Sequence, residues 1–239
     1  METLKGDNSR QRKRDFVLLI IFEIATWIVA NIMNHEDYRF SFPPKSWIFG
    51  LMLSCLIPYY FLLYKVTSNY VTKRIYKLGY GLLIITGFVL TAIASQKGVS
   101  FDSVRGYAYT GYVLQIAAIS LIVVIIVVDM FKHQHDLTYG ILAATTVYFL
   151  IPVVFAYIFC VMGLGDPSLL RVNSDNVGGL IVKSFESSHL FAAGIDLPEP
   201  GVSGLIKMVA VLESFIVNLY IVFVVGRLFV SSQNVKMAN

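Results

Sequence analysis

Charge is scarce in this chain. Asp, Glu, Lys and Arg make up 14% of the 239 residues, 56% are hydrophobic, and the mean hydropathy is +0.70. A water-soluble domain cannot hide that much apolar surface, so the lipid bilayer is the expected solvent. Cysteine is nearly absent as well. Cys55 and Cys160 both fall inside apolar runs, and no disulfide framework is expected. Catalytic signatures are missing: there is no Gly-rich phosphate loop, no nucleophile elbow and no zinc-protease pair. The expectation is a protein that is not an enzyme and carries no cofactor. A further absence concerns 110–130, where the only charged residue is Asp129. Voltage sensors carry repeated arginines through such a segment, so a sensor of that kind is excluded. Internal repeats and low-complexity tracts are lacking too.

What the chain does have is apolar length. A spanning helix needs about 20 predominantly apolar residues to cross roughly 30 Å of hydrocarbon. The segments 16–33, 47–64, 78–95, 109–131, 141–162 and 204–230 meet that requirement within its usual range. The expected fold is therefore an all-α polytopic membrane protein with six transmembrane helices. Pro152 is expected to kink the fifth. The basic stretch before residue 16 resembles the start of a signal peptide. The apolar run behind it is longer than a normal h-region and no small-residue cleavage site follows, so a retained anchor is expected.

Basic residues set the orientation. With the N-terminus inside, twelve of the nineteen Lys and Arg residues fall on the inner side, among them Arg10, Arg12, Lys13, Arg14, Lys65, Lys73, Arg74 and Lys77. The positive-inside rule then puts both termini in the cytoplasm, in a multi-pass protein of the plasma membrane. Topology thus accounts for the net charge of +4, and no nucleic-acid partner is expected. The 164–203 connection faces outside, with Asp166, Asp175, Glu186, Asp196 and Glu199 against Arg171 and Lys183.

That connection holds the most informative stretch. Gly178-Gly179 allows a turn, and 180–191 can form three helical turns that are too short to span. Its apolar positions (Leu180, Ile181, Val182, Phe185, Leu190, Phe191) leave Lys183, Ser184, Ser187 and Ser188 for a polar side. Ala192-Ala193-Gly194-Ile195-Asp196 follows, then the Pro198-Glu199-Pro200 corner, and then the last apolar helix. Non-helical backbone at membrane depth is tolerated only when buried in protein or lining water. The layout is that of a re-entrant pore loop between helices five and six. The partially negative C-terminal end of its short helix favours cations. Gly194 supplies a permissive backbone and Asp196 a charge. Pro198 and Pro200 end the segment without needing backbone donors.

These residues resemble the pore module of the two-transmembrane-type potassium-channel superfamily, the bacterial ion-channel domain. In that pattern a pore helix leads to T-V-G-Y-G-D. An inner helix then begins with Leu-Glu and ends in a small residue followed by Arg-Leu. Leu212-Glu213 and Gly226-Arg227-Leu228 stand at matching positions, and Phe185-Glu186-Ser187 sits where the pore helix starts. The resemblance covers 141–230. It implies a selectivity filter at Ala192, Ala193, Gly194, Ile195 and Asp196, and a homotetramer, since one loop cannot enclose a filter. The filter letters depart from the family. The threonines and the second glycine are absent, and four Asp196 side chains near an axis would form a cation-attracting ring. The expected function is a membrane cation channel, or a channel-like protein, that is not strictly potassium-selective. Its expected partners are membrane lipids and monovalent or divalent cations.

Other marked residues have two readings each. Glu213 supports the filter from behind, or snorkels to the interface and pairs with Lys207. Arg227 marks the inner end of the last helix, where a cation suits the helix terminus and the headgroups. Glu23 faces a water crevice, pairs with a base, or makes a structural polar contact. His189 modulates conduction from outside or packs polar atoms behind the filter. His133, His135 and Asp136 lack the rest of a ligand set, so no metal site is expected. Trp27, Trp47, Tyr59, Tyr60, Tyr64, Tyr107, Tyr109 and Tyr112 are expected as interfacial anchors. The organisation expected is a cytoplasmic basic stretch at 1–15, a peripheral four-helix bundle at 16–131, a pore-like module at 141–230 and a tail at 231–239. The alternative functions are a small secondary transporter, with 192–204 as its binding site and Glu23 or Glu213 as coupling group, and a non-conducting scaffold.

Overall fold

The computed structural model describes residues 2–34, 45–71, 73–94, 101–132, 137–166, 177–194 and 203–237. All regular structure among them is helical: α1 (Glu2–Asn34), α2 (Lys45–Tyr70), α3 (Arg74–Ala94), α4 (Phe101–Lys132), α5 (Leu137–Gly165), α6 (Val177–Ala192) and α7 (Gly204–Met237). Every expected span lies within a helix or overruns it by one residue, and most helices extend well beyond. The basic stretch before residue 16, expected as a separate tail, is part of α1, because no proline interrupts it. Gly178 and Gly179, expected at a turn, lie inside the first turn of α6.

Four helices are long and apolar enough to cross a membrane among the described residues: Arg74–Ala94, Ser103–Phe131, Leu137–Gly165 and Gly204–Arg227. The chain is thus compatible with a multi-pass membrane protein. Two-thirds of the most apolar window of α5 is buried (67%), against 22% for α3 and for α7. α5 is the central element and packs against α1, α4, α6 and α7. The outer faces of α3 (Leu82, Ile85, Val89) and α7 (Val211, Phe215, Val222) are exposed and apolar, as a lipid-facing surface requires.

Side-chain contacts give each long helix its direction. Lys65 donates to Asp15 at 2.7 Å and Arg12 to the Asn69 carbonyl at 3.4 Å, so α1 and α2 run antiparallel. Tyr80 bonds to the Ala118 carbonyl while Thr91 abuts Gly111, which makes α3 and α4 antiparallel. Tyr139 donates to Asp129 at 2.7 Å and Tyr112 lies 5.8 Å from Tyr157, which does the same for α4 and α5. Tyr220 donates to the Ala144 carbonyl at 3.0 Å, setting α7 against α5 with its C-terminal half at the start of α5. Tyr60 lies 5.2 Å from Phe88 and Tyr64 abuts Gly81, so α2 and α3 are antiparallel too, and the six long helices alternate in direction.

One end of this bundle is tied by polar groups from four helices. Arg12 of α1 lies 5.1 Å over the Tyr70 ring of α2; Tyr70 is hydrogen-bonded to Tyr139 of α5, which donates to Asp129 of α4. Burial pushes the Tyr70 phenol up to about 12, so it stays protonated through the physiological range. Several tyrosines expected at the interface are interior instead. Tyr59, Tyr60 and Tyr112 are buried, and Tyr60 shares a 2.6 Å hydrogen bond with Tyr157, whereas Tyr107 and Tyr109 are exposed. The reason is length: α2 continues to Tyr70, so Tyr59 and Tyr60 lie a few turns inside it, where a hydroxyl needs a protein partner. The α3–α4 contact is close because glycine permits it. A Cβ on Gly111 would stand 2.8 Å from Thr91 Oγ1 and 3.0 Å from the Thr91 backbone nitrogen.

Candidate functional site

The site is built around α6. Its 16 residues span about 24 Å at the helical rise, less than the hydrocarbon thickness. It packs against α1, α5 and α7. Leu180, Ile181, Val182, Phe185, Phe191 and Ala192 are buried, as their apolar character requires. Ser184 and Ser188, expected on a polar side, are buried with them at 0% exposure. Spaced one turn apart, they share one face of the helix. The charged pair on this helix stays together: Lys183 bonds to Glu186 at 3.3 Å. Aromatic contacts fix the helix laterally, with Phe185 5.3 Å from Tyr157 and Phe191 5.9 Å from Phe159.

Two adjacent residues of α6 reach two glutamates on different helices. Ser188 Oγ lies 2.5 Å from Glu213 Oε1 of α7 and 2.6 Å from the Pro152 carbonyl of α5. Glu213 is fully buried. It therefore meets α6 and does not snorkel, and Lys207 is exposed. His189 turns the other way. Its Nε2 is 3.5 Å from Glu23 Oε1 of α1, and both side chains are more than nine-tenths buried. His189 Nδ1 lies 2.8 Å from the Phe185 carbonyl, and a carbonyl only accepts, so Nδ1 carries the hydrogen. Nε2 has no hydrogen bond of its own, so the 3.5 Å approach to Glu23 is a close contact of two buried polar groups. Trp27 lies beside the imidazole, 6.2 Å between ring centroids. Glu23 also lines a narrow crevice between α1, α2 and α5 with Tyr59 and Thr146.

The end of α6 is capped in the left-handed manner. Ala193 N bonds to the His189 carbonyl and Gly194 N to the Phe191 carbonyl, both at 3.1 Å, and Gly194 has φ of 67°. Only glycine adopts that backbone freely. Of the five expected filter residues, Ala192 is buried, Ala193 and Gly194 are exposed, and Ile195 and Asp196 lie outside the described residues. Arg227 is half-buried on α7. His133, His135 and Asp136 also lie outside the described residues. Among those described, no group of three or more His, Cys, Asp and Glu side chains is placed to hold a metal ion.

Glu23 and His189 each stand out in the sequence as polar residues in apolar runs, yet nothing in their spacing pairs them. Ser188 carries no sequence signal beyond lying four residues from Ser184. Compared with family models, curated proteins and solved structures, the chain matches none.

Proposed function

We propose that the chain is a six-helix protein of the plasma membrane with both termini cytoplasmic, and that it provides a channel-like cation pathway without strict potassium selectivity. In this reading α6 is a re-entrant pore helix and α7 an inner helix. The observation that carries it is a helix too short to span, buried against three long ones and bonded to α7 through Ser188 and Glu213. The exposed Ala193 and Gly194 leave the end of α6 open to line an axis shared by four copies. Asp196, two residues on, would ring that axis with carboxylates. Glu213 is a positioning residue for the loop.

Glu23 and His189 favour a second reading, a small secondary transporter. A buried acid–base pair between helices is a coupling site that a channel does not need. Proteoliposomes separate the two. The channel reading predicts cation conductance whose permeability ratios change in Asp196→Asn. Unchanged ratios remove Asp196 from the pathway. Solute uptake that follows a proton gradient and disappears in Glu23→Gln, with no conductance, selects the transporter.

A further inference from the structure

Proton accounting at the junction of α5, α6 and α7 has a definite outcome. Ser188 Oγ has one hydrogen and stands within hydrogen-bond distance of two oxygens, the Pro152 carbonyl at 2.6 Å and Glu213 Oε1 at 2.5 Å. A carbonyl oxygen cannot donate. Both contacts are therefore hydrogen bonds only if Glu213 supplies the second hydrogen. The surroundings agree. Glu213 has no exposed surface, and its Oε2 has no hydrogen-bond partner. An ionised carboxylate in that position would leave one oxygen unsolvated and unpaired, which is among the costliest arrangements in a protein interior.

Among the described residues, no nearby group supplies a compensating cation. On α6, Lys183 is engaged with Glu186 and His189 faces Glu23 of α1. On α7, Lys207 is exposed. From α5 the group in contact is a backbone carbonyl, and the ionisable side chains on its buried surface are Tyr139, Tyr157 and Cys160, which when ionised would add negative charge.

We propose that Glu213 is a resident proton-binding site: a neutral carboxylic acid that donates to Ser188 Oγ, which donates in turn to the Pro152 carbonyl. The relay runs from α7 through α6 to α5 and fastens the short helix to two of its three neighbours. Removing the proton leaves Ser188 with two acceptors and one hydrogen, so one of the two ties must open. The site holds whether or not the protein conducts.

Infrared spectroscopy of the full chain reconstituted in lipid at neutral pH tests this through the carbonyl-stretch band of a protonated carboxylic acid. The band is expected in the unmodified protein, lost in Glu213→Gln, and moved to higher frequency in Ser188→Ala, which removes its acceptor. A spectrum without the band, or one that Glu213→Gln leaves unchanged, overturns the proposal. Should Glu213→Gln fail to accumulate, Ser188→Ala decides alone: a shifted band supports the site and an unshifted one refutes it.

Discussion

Glu213 is an acid that a membrane interior should not tolerate, and its neighbours explain why it is tolerated. Ser188 offers one hydroxyl, Pro152 one carbonyl, and two short hydrogen bonds link them to Glu213 Oε1. Glutamine keeps this pattern, because its amide can donate to Ser188 as the acid does. Alanine removes the donor and leaves the hydroxyl with one partner. Glu213→Ala is therefore expected to destabilise the folded protein by about 1–3 kcal/mol, with Glu213→Gln close to unmodified. Thermal unfolding in detergent measures both, and equal losses for the two variants would mean that shape and not hydrogen bonding is at stake. The contrast with His189 is instructive. That residue follows Ser188 in sequence and points to Glu23 of α1, so one turn of α6 meets buried acids on two sides.

At the scale of elements, helix existence was legible in the sequence and helix ends were not. Runs of about 20 apolar residues announce a helix through the cost of unpaired backbone in lipid. That logic identifies the six long helices, whereas the short one is read from the apolar and polar positions of 180–191. It did not see that α1 continues through Arg10, Arg12 and Lys13, since polar residues at a helix end are outside the reach of hydropathy. It also misplaced Tyr59, Tyr60 and Tyr112, because aromatic position along a span depends on where the span truly ends. The candidate site was legible in part. Glu213 and His189 stood out as polar residues in apolar runs, but the partners Ser188 and Glu23 come from three-dimensional packing that no spacing encodes. Close packing supplies its own test. Gly111→Ala should clash with Thr91, including its backbone nitrogen, and cost about 1–3 kcal/mol as overpacking does. Gly106→Ala on the same helix meets open space and should be neutral or stabilising by up to about 1 kcal/mol. Similar losses for both glycines would contradict a tight α3–α4 contact.

The whole molecule is an antiparallel set of long helices with α5 at its centre, and the short α6 is lodged among α1, α5 and α7. α5 can occupy the centre because small residues such as Ala143, Ala144, Ala156 and Gly163 let its neighbours approach. α7 buries one stripe on α5 and α6, and its exposed residues from Leu205 to Val225 are mostly apolar. Lipid can cover that face, but the pathway proposed above needs further copies around an axis, so symmetry is its most direct consequence. Electron microscopy of the purified protein in lipid nanodiscs should show four copies around a central axis, with α7 nearest to it. A stable monomer, or an assembly with α7 turned outward, would contradict it.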